Sequence, residues 1–393
     1  MKFNQIETPC YIINKEAYDR NRRQLQRAFE SFWGKKLILG YSIKTNHLPF
    51  MIHLAKRDGW LAEVVSEDEY QLALDLGYKE NEIIYNGPQK KDHVLYACKK
   101  GSIVNLDNLQ EVAMVCNCLT EDEKKNCHIG LRINFDLEKE CPGETTSGEV
   151  PGRFGICLEN GDVQKAAIML GKAGIKVKGI HMHASTKSRS IDVFRALAKK
   201  AGEIVHEIPL LDIEYIDIGG GFFGGNYFPG KPSILEYAKI VCNTLKESIN
   251  SNEVTLILEP GAAITATAAD YCVSVCNIRS IRGKRIVTVD GTCLHINAFM
   301  HPKRETPFTL IDGGENIEEE QIIGGCTCME MDRFYPRNLN DEICMESRLL
   351  FHCAGAYTMT HNSCFINNPP NIYVHEEDSY EVVRKKDYKL MQM

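Results

Sequence analysis

No stretch of this 393-residue chain approaches the roughly 18 consecutive apolar residues that a membrane-spanning helix requires. Its opening residues, Met1-Lys2-Phe3-Asn4-Gln5-Ile6, lack the long apolar core of a secretory signal. There is no excess of basic residues either. Forty-six lysines and arginines face 53 aspartates and glutamates, for a net charge of -7, which removes the electrostatic case for nucleic acid or an anionic membrane as partner. Repeats and low-complexity tracts are missing. With 44% hydrophobic and 25% charged residues, the composition is that of an ordinary soluble globular protein, and small-molecule chemistry in the cytoplasm is the expectation.

Cysteine is plentiful, at 16, but without compact disulfide spacing. In a reducing cytosol these residues are expected to be mostly buried small hydrophobes. Cys116-Asn117-Cys118 and Cys326-Thr327-Cys328 are too close-set for a paired zinc knuckle, and no second Cys/His pair stands at a suitable spacing. No metal site is expected.

From about residue 35 to 260, short β-rich apolar runs alternate with helical stretches. The runs are Leu37–Tyr41, Trp60–Val65, Glu82–Tyr85, Ser102–Leu106, Ile129–Ile133, Gly179–His183, Tyr215–Ile218 and Thr255–Leu258. They are continuous rather than alternating, as strands buried on both faces are. Eight β-then-α units of this length predict an α/β fold with a (β/α)8 TIM barrel. After Gly261 the texture becomes β-like, at Tyr271–Ser280, Arg285–Asp290, Phe308–Ile311, Gln321–Gly324 and Arg348–His352, which predicts an all-β domain. Pro9–Ile13 is strand-like and could join that sheet. The loop from Glu138 to Pro151 has no periodicity and reads as mobile.

In a barrel, chemistry collects where the strands end. Lys44 ends the first run, in Tyr41-Ser42-Ile43-Lys44-Thr45-Asn46, and a lysine there is costly to bury unless its amine is engaged. Lysine also forms Schiff bases with carbonyl cofactors such as pyridoxal 5'-phosphate (PLP). Arg132 and Asn134 end another run, His181 and His183 a third, Asp217-Ile218-Gly219-Gly220-Gly221 a fourth and Glu259-Pro260-Gly261 the last. Glycine N–H groups can approach a phosphate closely, although glycine runs also make plain turns. A carboxylate such as Glu259 can pair with a protonated pyridine nitrogen or with a structural base, and an imidazole such as His183 can stack on a flat ring or sit satisfied in a core.

These residues, in this order, resemble the fold-type III PLP decarboxylases, the diaminopimelate, ornithine and arginine decarboxylase family that shares its barrel with alanine racemase. The resemblance covers nearly the whole chain. Thr8-Pro9, Tyr41–Asn46, Glu63-Val64-Val65-Ser66, Arg153-Phe154-Gly155-Ile156 and His183-Ala184-Ser185-Thr186 look like family segments, as do Gly219–Gly221, Glu259-Pro260-Gly261, Gly325–Asp332 and Gly355-Ala356-Tyr357. It implies that Lys44 is the Schiff-base lysine, that His183 stacks on the PLP ring, and that Glu259 binds the pyridine nitrogen. Thr186, Gly219, Gly220, Gly221, Gly261 and Tyr357 would complete the cofactor site. It also implies a homodimer with shared active sites, in which Cys328 of one chain helps protonate the product carbanion formed in the other. The implied domains are a PLP-binding barrel over 26–262 and a β-domain of 1–25 plus 263–393.

The chain departs from the family at informative places. The arginine of Glu-Pro-Gly-Arg, a phosphate contact, is Ala262, and losing a charged hydrogen bond costs about 1.5–3 kcal/mol. Met329 stands where relatives carry the acid that recognises a substrate's distal amine, with Glu330 one position on. His301-Pro302 stands roughly where diaminopimelate decarboxylases have Arg-Pro, and Thr358–Ser363 keeps only the small polar character of the family segment. Arg132, His301, Met329, Glu330 and Asp332 are therefore the expected substrate positions. The expectation is a carboxy-lyase acting on an amino acid or amino-acid conjugate, with a non-standard substrate in a specialised pathway. The alternatives are a racemase on the same fold and a catalytically silent regulator of the antizyme-inhibitor type.

Overall fold

The computed structural model describes residues 1–208, 210–226, 228–362 and 364–387, so Ser363 lies outside the described residues. The chain divides into two compact units, one of Arg23–Phe223 with Gly230–Gly261, the other of Met1–Arg22, Gly224–Pro229 and Ala262–Met393.

The first unit is a closed barrel of eight parallel strands: β1 (Leu37–Ser42), β2 (Leu61–Val64), β3 (Ile83–Tyr85), β4 (Ile103–Leu106), β5 (His128–Asn134), β6 (Val177–His181), β7 (Leu211–Asp217) and β8 (Thr255–Leu258). Each pairs with its sequence neighbours, and Leu256–Leu258 of β8 beside Leu37–Leu39 of β1 closes the ring. All eight expected strands are present within a few residues, and the fold is the expected TIM barrel. The run expected over Gly179–His183 ends at His181, so His183 belongs to the following loop. A short extra strand, Ile156–Cys157, pairs with the end of β5.

Local chemistry sets the helix starts. Ser66, Asn108 and Ser190 each accept a backbone N–H at the start of the helix that follows, and Ser233 and Glu236 form a reciprocal capping box. The barrel interior is shaped around Tyr215. A Cβ on Gly179 would lie 2.1 Å from its ring and one on Gly130 2.2 Å from its hydroxyl, so two strands give up side chains to admit one phenol. That hydroxyl donates to Asn105 Oδ1 at 2.8 Å.

The second unit is built on a ten-stranded sheet. Cys10–Asn14 lies between Ala269–Ile281, antiparallel, and Asn371–Glu376, parallel. The structure adds strands that the sequence reading left out: Glu305–Thr306, Arg333–Pro336 and the hairpin Asn371–Glu376/Ser379–Arg384.

One segment has more structure than its sequence pattern suggested, and one expectation needs correction. The 138–151 segment begins inside a helical turn (Leu137–Glu140) and is fastened to the loop after β6: Thr145 bridges Thr186, Lys187 N donates to Glu144 O at 2.7 Å, and Ser188 donates to the Glu144 carboxylate. Paired polar groups make local structure that periodicity did not reveal. The cysteines are not mostly buried. Seven are, five are partly covered, and Cys118, Cys276, Cys328 and Cys364 are exposed. Among the described residues no helix is long and apolar enough to cross a membrane.

Candidate active site at the barrel rim

Strand register brings the polar residues together. Arg132 of β5 stands opposite His181 of β6, and His181 opposite Asp217 of β7. On the far side of the ring, Ser42 of β1 stands opposite Glu63 of β2. Parallel strands with this stagger place one residue from each at the same level, at their C-terminal ends.

Lys44 sits in a 3-10 turn directly after β1 and forms an ion pair with Glu63. Glu63 Oε2 also accepts from Ser42 Oγ at 2.6 Å. Asn86, the first residue after β3, donates to Glu63 Oε1 at 3.1 Å and to Glu259 Oε1 at 2.5 Å, and accepts from Asn105 Nδ2 at 2.9 Å. One amide thus links the carboxylate beside Lys44 to the carboxylate that ends β8. Arg132 is buried, lies 3.4 Å from Asp107 Oδ1 and 4.7 Å from the Phe154 ring, and Arg153 covers the same ring at 4.3 Å.

His181, Asp217 and Glu259 are all buried, and their ligating atoms lie within 4.8 Å of one another. Burial opposes ionisation of Glu259, but the neighbouring His181 and Lys44 outweigh it and hold the carboxyl well below its usual range. Burial and the charge of Glu259 push Asp217 well up. The pair therefore keeps a proton on Asp217 and a charge on Glu259. His183 is driven down to about 3, chiefly by burial and then by Arg132 and His181, so its ring is neutral. Its plane is within 6° of that of His181.

Several of these buried groups lack hydrogen-bond partners among the described residues: both ring nitrogens of His181, Nδ1 of His183, Oδ2 of Asp217 and Oγ of Thr45. Buried polar atoms are rarely left so. The glycine run is equally specific. Gly219 and Gly221 have φ of +70° and +97°, and a Cβ on Gly220 would lie 2.2 Å from Glu259 O. A Cβ on Gly261 would lie 2.1 Å from Thr45 Oγ1. The donor set fits a flat, phosphorylated, nitrogen-containing ring that brings its own hydrogen-bonding groups.

A family model described as the pyridoxal binding domain of pyridoxal-dependent decarboxylases matches residues 19–266. The chain belongs to this family. Its cofactor is PLP and its activity that of a carboxy-lyase, and it is an amino-acid decarboxylase of fold type III. The decarboxylase is 26% identical over 363 residues to the diaminopimelate decarboxylase of Methanocaldococcus jannaschii, covering 89% of this chain and 82% of that one. It is 27% identical over 410 residues to an L-glutamyl-acyl-carrier-protein decarboxylase of Niallia circulans, covering 97% and 92%. A crystal structure of the M. jannaschii enzyme superposes with a TM-score of 0.86 at 22% identity, over 98% of this chain and 91% of that one.

Of the expected site residues, Lys44, Arg132, His183, Thr186, Gly219, Gly220, Gly221, Glu259 and Gly261 lie in the barrel unit of the decarboxylase. His301, Cys328, Met329, Glu330, Asp332 and Tyr357 lie in the β unit. There Cys328 is exposed, and Tyr357 has its ring 6.5 Å from Phe299 and 6.4 Å from His361. Asp332 is buried and accepts from Cys293 N at 2.8 Å, Thr327 N at 3.1 Å and Thr327 Oγ1 at 2.7 Å, so its carboxylate closes the loop that carries Cys328. Glu330 points outward, 3.5 Å from Arg333. The sequence reading did not single out Asn86, Asn105, Asp107 or Tyr215. Asn86 and Asp107 were detectable by the rule that found Lys44, since each directly follows a barrel strand.

Proposed function

We propose that the decarboxylase acts on an amino acid, or an amino acid carried in a conjugate, whose distal group is not a simple ammonium. The observation that carries the cofactor assignment is the convergence of Asn86, His181 and Asp217 on an ionised, buried Glu259, joined through Glu63 to Lys44. Bound PLP supplies an electron sink for the pair left on Cα when carbon dioxide departs.

In this reading Lys44 binds the cofactor covalently through Nζ, with Glu63 and Ser42 holding the amine in place. Glu259, charged and steadied by Asn86, keeps a proton at the cofactor's ring nitrogen. His183, neutral, lies against the ring face without adding charge. The amides of Gly220 and Gly221 with Thr186 would bind the phosphate. Arg189 and Lys231, which lie 4.9 and 5.3 Å from the centre of the Phe223 ring just past the glycine run, supply the positive charge lost at Ala262. Cys328 of a partner copy in a homodimer donates a proton to Cα, with Asp332 holding its loop.

The substrate reading is supported by Met329 at the amine-recognition position and by Glu330 turned toward Arg333. Arg132 and His301 are the anion-binding candidates. The name of the Niallia circulans relative also speaks for a conjugated amino acid, and the decarboxylase names among the relatives disfavour a racemase. The test is carbon dioxide release across D- and L-amino acids and their conjugates, with PLP absorbance followed in wild type, Lys44→Ala and Cys328→Ala. Lys44→Ala loses the borohydride-reducible link to PLP, and Cys328→Ala loses rate but keeps the cofactor. Release from free diamino acids at least as fast as from every other substrate would sink the substrate reading; an unchanged rate in Cys328→Ala would sink that assignment.

A further inference from the structure

A buried ion pair lies just outside the groups assigned above. Lys90 is 1% exposed and Glu111 5%, and Lys90 Nζ donates to Glu111 Oε2 at 2.9 Å and to Gly87 O at 2.7 Å. Stability alone does not account for such a pair, because apolar replacements of similar volume are often neutral or stabilising. Its connections do. Glu111 Oε2 also accepts Asp107 N at 2.9 Å, and Oε1 accepts Lys90 N at 3.3 Å. One carboxylate therefore pins the loop after β3 and the end of β4 together. Gly87 has φ of +92°, and a Cβ there would lie 2.3 Å from Val65 O, so the loop is pressed on the end of β2 as well. The residue before Gly87 is Asn86, whose amide holds Glu259 and Glu63. The residue whose N–H Glu111 fixes is Asp107, whose carboxylate faces Arg132 at 3.4 Å and accepts Gly155 N at 3.2 Å.

We propose that Lys90 and Glu111 are positioning residues for the decarboxylase, holding Asn86 against Glu259 and Asp107 against Arg132. This rests on the reading that the Glu259 end receives the cofactor ring. The variants are Glu111→Gln and Lys90→Met/Glu111→Gln in the full chain, with Lys178→Met/Glu214→Gln as a control pair, 3.5 Å apart and partly exposed. The readouts are PLP dissociation constant from fluorescence titration of the apoprotein, the pH dependence of the bound-cofactor absorbance, and Tm. PLP affinity is expected to fall about tenfold in both Glu111 variants, as when orienting partners behind bound ligands are removed. The midpoint of the absorbance titration should move with it, and the control should change neither. A lowered Tm with affinity within about twofold of wild type, the range of uncoupled changes, overturns the proposal. If the neutral variants do not fold, Glu111→Asp decides it, since it keeps the charge but cannot span both loops: an affinity loss supports the clamp and unchanged affinity refutes it. Wild type and Lys44→Ala run in the same titration, so a failed cofactor assignment shows in those two proteins and a failed clamp only in the Glu111 variants.

Discussion

Asn86→Asp is nearly isosteric and puts a third carboxylate between two others. The native amide donates to Glu259 at 2.5 Å and to Glu63 at 3.1 Å, and an ionised carboxylate can donate to neither. Two hydrogen bonds to charged acceptors are worth about 3–6 kcal/mol together. Each new like-charge contact near 4 Å adds about 4 kcal/mol at an effective dielectric of 20. The sum rivals the whole stability of a domain, so the new carboxyl will take up a proton in the folded chain. Its folded pKa is then above its unfolded value near 3.9. An acid shifted upward by folding is neutral in both states at low pH, and its cost grows as pH rises above the unfolded pKa, at about 1.4 kcal/mol per unit, until the folded pKa is passed. Urea denaturation of the apoprotein at pH 5 and pH 8 measures this. Relative to wild type, Asn86→Asp should lose more stability at pH 8 than at pH 5 by about 2 kcal/mol or more. Asn86→Ala should show a similar deficit at both, about 3 kcal/mol for lost bonds and an unfilled site. An Asn86→Asp deficit that ignores pH would refute the placement of Asn86 between two charged carboxylates.

Two further outcomes follow from the barrel. His183 is neutral in the fold down to about pH 3, mainly through burial, while in the unfolded chain it gains a proton near 6.5. Between those values the unfolded state binds more protons, so stability rises with pH and is lost on acidification. His183→Phe should therefore flatten the acid limb of apoprotein stability between pH 6 and 4.5, and an unchanged slope would count against a neutral His183. Gly179→Ala would set a methyl 2.1 Å from the Tyr215 ring, whose hydroxyl is tied to Asn105, and overpacking of this kind costs about 1–3 kcal/mol or more. A Tm indistinguishable from wild type would show that the ring has room to move.

The barrel was legible because its strands are continuous apolar runs, and the place of Lys44, His183 and Glu259 at the barrel rim because unusual polar residues stood at the ends of those runs. Asn86 escaped, although the run before it was read, because Asn86-Gly87-Pro88 reads as an ordinary turn. Lys90 escaped for a stronger reason: nothing local distinguishes a lysine sealed against Glu111 from one in solvent, since the partner lies on the next βα unit. In the β unit, Glu305–Thr306 is two residues long, too short to leave a pattern. The hairpin ending at Arg384 did leave one, with Ile372, Tyr373 and Val374 buried beside a partner strand. The fastening of 138–151 to the loop after β6 could not be read, because Glu144 acts through Lys187 and Ser188, which only the folded backbone brings within reach.

The closing contact of the barrel, β8 against β1, has a consequence for biosynthesis. Glu259 follows the last strand, so a nascent chain displays Lys44 and the glycine run well before the carboxylate that faces them has left the ribosome. Until β8 docks, the Asn86 amide has Glu63 and Asn105 as partners but not Glu259. The Glu259 end of the site is therefore assembled only when the ring closes.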